Sequence, residues 1–244
     1  MSPSQGLARA LIMLIMSLTT DPASSVSEAL ASRVTVRQFQ DREVDPTLLR
    51  SLVARALRAP SSGNLQPWKL HVMTGRTLAD FKAAATERTL SSGMEEPTHP
   101  AYPPKLWAPY RDRRFKVGED MYALLGIPRE DKAKRLMWLA QNSKFFEAPV
   151  GIIVTGDKRL AMPQYMDVGI MLQTLMLLAR EQGLHTAPQG WWRHFPSVSH
   201  DILDIPEEEE VLVGMSMGYA APNADVNRLR SDRATVDELV TFYD

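Results

Sequence analysis

Residues 165–182 read as a helix that is apolar almost all the way round and is stopped by Gly183. A helix without a polar face has to be covered on nearly every side. Asp167, Gln173, Arg180 and Glu181 interrupt it, so it lacks the roughly 20 predominantly apolar residues of a membrane span. It is expected at the centre of the core, with a subunit interface as one means of covering it. A chain of 244 residues is long enough to build that core.

Around this helix the periodicities mix helices and strands without a strict βαβ rhythm, which favours an α+β fold. Residues 25–32 are predicted as a short helix capped by Ser25, with Glu28 three positions on. Residues 33–39 alternate as extended chain. Asp45-Pro46 opens a helix whose apolar positions are Leu48, Leu49, Leu52, Val53, Ala56 and Leu57, and Pro60 ends it. Strands are expected at 69–74, 148–155 and 211–219, and helices from 77 to about 90 and from 129 to about 146. Residues 91–118 contain Pro97, Pro100, Pro103, Pro104 and Pro109 among Tyr102, Trp107, Tyr110 and Phe115. Long irregular segments of this kind are often covers over a site, the alternative being surface packing. Residues 207–210 are expected as a solvated acidic turn, and the apolar residues of 236–243 need a docking surface.

Near the N-terminus, residues 11–18 form an apolar run too short to span a bilayer, with no small-residue cleavage site after it. An extension over 1–24, or a start at Met13 or Met16, is expected, with one domain from 25 to 244. The absence of cysteine removes disulfides, thiolate nucleophiles and iron–sulfur clusters, so redox chemistry has to come from a bound cofactor. A net charge of −1 argues against holding nucleic acid through an overall field. The five histidines show no metal-ligand spacing. No glycine-rich dinucleotide or P-loop pattern and no nucleophile elbow is present.

Four stretches carry chemistry. Arg33, Thr35 and Arg37 point to one side of an extended segment, and Arg228, Arg230 and Arg233 lie near the other end of the chain. If the two clusters converge they hold a phosphate monoester; otherwise they are scattered surface arginines. The loop Ala59-Pro60-Ser61-Ser62-Gly63-Asn64-Leu65-Gln66-Pro67-Trp68 is dense in groups that hydrogen-bond a planar polar ligand, though an ordinary helix-to-strand connection would also use turn residues. After the apolar helix, Pro188-Gln189-Gly190 forms a turn that can aim backbone N–H groups at a ligand edge. Trp191 and Trp192 follow as stacking surfaces or core residues, and His185 and His194 flank the turn.

Taken in order, these stretches resemble the nitroreductase family of FMN-dependent oxidoreductases. Arg33-Val34-Thr35-Val36-Arg37 resembles its opening phosphate motif with Thr35 in the serine place, and residues 59–68 resemble its signature loop. Pro188-Gln189-Gly190 stands in the place of the loop along the flavin, and Gly218-Tyr219 with residues 228–233 resembles its C-terminal phosphate-binding end. The resemblance implies an α+β, three-layer α/β/α sandwich around a mostly antiparallel sheet. It also implies a cytoplasmic homodimer with FMN bound at the interface.

By that resemblance Arg33, Val34, Thr35, Arg37, Arg230 and Arg233 hold the FMN phosphate end. Pro60, Ser61, Ser62, Asn64 and Gln66 line the ribityl chain and flavin. Pro188 and the backbone N–H of Gln189 or Gly190 approach flavin N5, and Lys144 stands near the pyrimidine edge, with Gln141 where many members have asparagine. No side chain is implied as a catalytic acid or base. Two electrons pass from NADPH or NADH to a nitroaromatic or quinone-type acceptor by a ping-pong mechanism. Same-fold dehalogenases, flavin-destroying enzymes and enone reductases, a flavin carrier without turnover, and an arginine-based binder of phosphorylated ligands are the rival readings.

Overall fold

The structure is a computed structural model and describes residues 18–97 and 99–243. Its centre is a four-stranded sheet of β1 (Lys69–Met73), β2 (Val150–Asp157), β3 (His185–Gln189) and β4 (Glu209–Gly218), in the order β1-β2-β4-β3 with every pair antiparallel. Side chains along β2 alternate between two cores. Val150, Ile152 and Val154 face one cluster with Leu52, Met171 and Leu175, while Ile153 faces a second with Phe81, Phe145 and Trp192. A strand buried on both faces needs helices on both sides. On one side these are α2 (Pro46–Ala56) and α6 (Met162–Glu181); on the other they are α3 (Gly75–Ser91) and α7 (Pro196–Leu203). The expected α/β/α layering is what the chain forms.

The first helix, α1 (Val26–Ser32), is capped by Ser25, whose hydroxyl accepts from Glu28 N–H at 3.2 Å, and Asp45 caps α2 in the same way through Leu48 N–H. Central helix α6 buries Asp167, Val168, Met171, Leu175, Ala179 and Arg180 but leaves a stripe of Met162, Met166 and Ile170 exposed. Gly183 ends it with φ 71°, and a side chain there would stand 3.1 Å from the Thr20 carbonyl.

That last contact exists because the chain already packs upstream of Ser25. Leu18 lies against the core, Ala23 is buried, Thr19 O accepts from His185 Nε2 at 2.9 Å and Asp21 O accepts from Arg180 Nη2 at 2.7 Å. The apolar run 11–18 otherwise lies outside the described residues.

Three expectations are corrected. The proline-rich stretch is irregular only to Pro109; α4 (Tyr110–Leu124) then begins directly after it, because proline is tolerated at a helix start. The predicted long helix at 129–146 is instead a short α5 (Lys132–Leu139) followed by tight 3-10 turns over Ala140–Glu147. The acidic stretch is not solvated throughout: Glu209 and Glu210 open β4 at 2% and 6% exposure. A terminal helix, α8 (Val236–Leu239), leaves Val236, Leu239, Val240, Phe242 and Tyr243 exposed.

Candidate active site

The two arginine clusters converge. Arg33, Thr35, Arg37, Arg230, Ser231 and Arg233 line one cavity of about 320 Å³, with Val34 and Val117 of α4 in its wall. The segment after α1 is extended and bridges β3 in parallel through Thr35 and Thr186, so its alternate side chains turn to the same side. Asn227, buried at 1% exposure, fastens the C-terminal part. Its Oδ1 accepts from Arg37 N–H at 2.9 Å, and its Nδ2 donates to Gln38 O at 2.8 Å and Ala221 O at 3.0 Å. Its own carbonyl accepts from Arg230 Nη1 at 3.0 Å.

Burial lowers the pKa of Arg33, and the neighbouring Arg233 lowers it further; burial alone does so for Arg37 and Arg230. Guanidinium groups stay charged regardless. Four guanidinium groups gather on this cavity, and no carboxylate stands among its described lining residues. That donor set fits a phosphate monoester, which brings close to two negative charges and several acceptor oxygens. Behind it, the Thr186 hydroxyl is buried without a hydrogen-bond partner among the described residues. Arg228 does not join the cluster; it pairs with Asp225 at 3.2 Å.

Pro188 and Gln189, expected as a turn, are instead the last residues of β3, paired with Met215 and Gly214, and the chain turns only from Gly190 into a 3-10 segment, Gly190–His194. Gln189 is 2% exposed and its side chain is fully engaged. Its Nε2 donates to Asn142 O (3.0 Å) and Oδ1 (3.1 Å), and its Oε1 accepts from Ser216 Oγ (2.8 Å) and Trp192 Nε1 (3.4 Å). This ties the end of β3 to the segment that carries Gln141 and Lys144. Phe145, Phe146 and Glu147 follow Lys144 with φ of 51°, 53° and 59°, three consecutive left-handed residues at roughly 1–3 kcal/mol each. Phe145 stacks on Trp192 at 4.4 Å, which holds them there. Both tryptophans are core residues: Trp191 stacks on Phe195, and Trp192 packs so closely on Gly214 that an added Cβ would lie 1.9 Å from its ring.

His185 and His194 do not act at the turn. His185 is buried, and burial first, then Arg180, push its pKa down to about 3, so it is neutral and donates to Thr19 O. His194 Nδ1 lies 3.3 Å from Glu95 O.

The signature loop is elsewhere. Pro60, Ser61, Ser62, Asn64 and Gln66 sit before β1, one edge of the sheet, whereas the arginine segment lies on β3, the opposite edge. Three strand spacings, about 14 Å, lie between those edges. Left-handed residues shape the loop: Gly63, Asn64 and Gln66 have φ of 57°, 56° and 48°. Ser61 Oγ accepts from Gln66 N–H at 3.0 Å, and the buried Asp167 of α6 accepts from Ser62 N–H at 3.1 Å. Asp167, Asn142 and Asn227 were not singled out from the sequence. The local signal for Asp167 was a lone carboxylate in an otherwise apolar helix.

A larger cavity, about 1210 Å³, is a different place, bounded by α6, α7 and the start of β4 and rimmed by six carboxylates that include Glu209 and Glu210. Among the described residues, no helix is long and apolar enough to cross a membrane, and no group of acidic and histidine side chains could hold a metal ion.

Residues 30–219 match the nitroreductase family. The chain is 38% identical to the 4-nitrobenzoate reductase of Pseudomonas putida, over 93% of its own length and 98% of that protein. It is 32% identical to the nitrobenzene nitroreductase of Ectopseudomonas oleovorans, over 89% and 96%. Among solved structures it superposes on the FMN and NADPH-dependent nitroreductase NfnB of Sphigopyxis sp. strain HMH with a TM-score of 0.86 and 39% identity, covering 90% of this chain and 99% of that one. The FMN-dependent NfnB of Mycobacterium smegmatis, solved in complex with NADPH, gives 0.85 and 27%, covering 89% and 97%. The arginine cavity, the signature loop and the Pro188–Gly190 segment therefore stand in a chain that belongs to the nitroreductase family.

Proposed function

We propose that the protein is an FMN-dependent oxidoreductase that uses NADPH to reduce nitroaromatic compounds. The observation that carries this reading is the cavity where Arg33, Arg37, Arg230 and Arg233 converge, in a chain 38% identical to a 4-nitrobenzoate reductase. The FMN phosphate occupies that cavity, held by the four guanidinium groups with Thr35 and the chain at Val34. Pro188 and the backbone of Gln189 and Gly190 lie along the flavin, and Lys144 stands at its pyrimidine edge.

FMN, when bound, takes up a hydride equivalent from the nicotinamide and passes two electrons to the acceptor. The chain's own part is binding, orientation and electrostatics. Its arginines and Lys144 place positive charge where reduction adds negative charge, which favours the reduced form. Donor and acceptor use one face in turn, giving ping-pong kinetics, and no side chain is asked to carry a proton.

One chain leaves this site incomplete, because Pro60, Ser61, Ser62, Asn64 and Gln66 lie at the other edge of the sheet. We assign them to the FMN site of a second copy in a homodimer. The exposed Met162, Met166 and Ile170 stripe on α6 and the exposed apolar C-terminus are surfaces that such a partner would cover. The working unit is one FMN-binding domain over residues 25–244 together with the segment from Leu18 that packs on it, in the cytoplasm.

The test is a visible spectrum of the purified protein, followed by anaerobic titration with NADPH and then 4-nitrobenzoate or nitrobenzene. Flavin absorbance that bleaches with NADPH and returns with the nitroarene is expected. A colourless protein that takes up no added FMN overturns the reading.

A further inference from the structure

Lys144 belongs to a segment that does not hold its own shape. It is followed by three left-handed residues, Phe145, Phe146 and Glu147, that no glycine relieves. Strain of this kind persists only where the surroundings fix it. Two contacts do so from the β3–β4 side of the sheet: the stack of Phe145 on Trp192 at 4.4 Å, and the pair of hydrogen bonds from Gln189 Nε2 to the backbone and side-chain oxygens of Asn142. Asn142 is locked in turn, since its Nδ2 donates to Leu139 O at 2.8 Å. Lys144 itself is partly exposed, with Glu147 at 3.8 Å, so its direction is set by the backbone beneath it.

Residue 189 needs a particular chemistry to do this. It must accept from Ser216 Oγ and Trp192 Nε1 with one atom and donate to two Asn142 oxygens with the other. A neutral amide does both; an ionised carboxylate only accepts and would face two oxygens. The same residue's backbone belongs to the segment expected along the flavin. One buried side chain thus joins the two pieces of the site that touch opposite parts of the ring.

We propose that Gln189 is a positioning residue: through Asn142 it fixes Lys144 relative to the Pro188–Gly190 segment, and so sets how strongly the site favours reduced cofactor. This rests on the FMN reading above.

The experiment uses the FMN-loaded protein and measures the flavin midpoint potential and the FMN dissociation constant. The variants are Gln189→Met, Lys144→Met and the double variant. Gln189→Met is expected to keep FMN with several-fold weaker binding and to move the potential to a more negative value, because the cation is no longer held in place. In the Lys144→Met background the same change should move the potential no further. Asn142→Ala, which removes the side-chain half of the clamp and leaves the bond to the backbone oxygen, should give a smaller shift in the same direction.

An unchanged potential in Gln189→Met overturns the proposal, and so does a shift of equal size in the Lys144→Met background. If Gln189→Met fails to fold or to hold FMN, Asn142→Ala is judged by the same two criteria. A wild-type protein that binds no FMN overturns the functional reading itself. A flavin-loaded wild type with insensitive variants overturns only the role of Gln189.

Discussion

Two polar cavities lie at opposite ends of β4 and differ in how their charge is settled. At one end the smaller cavity collects four arginines with no acid among its described lining residues. At the other, the larger cavity is rimmed by six carboxylates, and its buried members are answered by neighbours. Burial pushes Glu209 up, but hydrogen bonds from Lys69 and Thr155 more than offset this and hold it below the usual range. Glu210 accepts from Tyr165 Oη at 2.6 Å, with His99 Nε2 3.6 Å away. Size points to the acidic cavity, whereas the convergence of four arginines points to the basic one. Clustered guanidinium groups are the better mark of a phosphate site, because their forked donors match the acceptor oxygens of a phosphate.

The sharpest way to break this comparison is to remove one cation. Arg37→Ala should weaken FMN binding by about 10- to 100-fold, the worth of one strong charge-assisted hydrogen bond. Equilibrium dialysis or flavin fluorescence would measure it, and riboflavin, lacking the phosphate, should bind the variant and the parent alike. Equal losses for both ligands would move the phosphate out of this cavity.

The second test concerns pH. His185 lies near the basic cavity with its pKa pushed down to about 3 from the ordinary 6.5, by burial and then by Arg180. Its folded pKa is depressed, so the unfolded chain takes up the proton first. Stability is therefore full above pH 6.5 and falls as pH drops toward 3. The slope is about 1.4 kcal/mol per pH unit, hence roughly 2 kcal/mol between pH 7 and 5. Urea unfolding at those two values checks this, and a His185→Asn variant should lack this histidine's contribution to the slope.

Asp167→Ala removes the acceptor of the Ser62 N–H, which water can reach at this exposed residue, and should cost about 1 kcal/mol, read as a lower Tm. Loosening of the signature loop should accompany it as weaker FMN retention. The smallest effect belongs to the acidic cavity. Glu210→Gln should leave FMN binding within about twofold, because Glu210 lines the acidic cavity and not the arginine cavity. It should also bring Tyr165, now pushed up to about 12 by burial and then Glu210, back toward its ordinary value.

What could be read from the sequence followed the range of the forces involved. The alternation at Arg33, Thr35 and Arg37, the caps at Ser25 and Asp45 and the strands at β1, β2 and β4 are local patterns, and they form as read. The buried glutamates of β4 were not legible, because Glu209 depends on Lys69 and Thr155, which are remote in sequence. The helix at 129–146 breaks after Leu139 although its periodicity continues, since Trp192 and Gln189 hold its end in left-handed turns. Placing the signature loop on the far edge of the sheet from the arginines needed strand order, which no single stretch contains. The proposed second copy rests on the family resemblance and on the exposed apolar stripe of α6.

The anchoring of residues 18–23 bears on how the protein should be handled. Arg180 is 1% exposed, and three acceptors reach it: Ser32 Oγ, Leu184 O and Asp21 O. A chain trimmed to begin at Ser25 would strip away the shortest of those contacts and the carbonyl that receives His185. It would open a path for water to a buried guanidinium beside the end of the central helix. Expression boundaries and tags therefore belong upstream of Leu18, where they leave this plug in place.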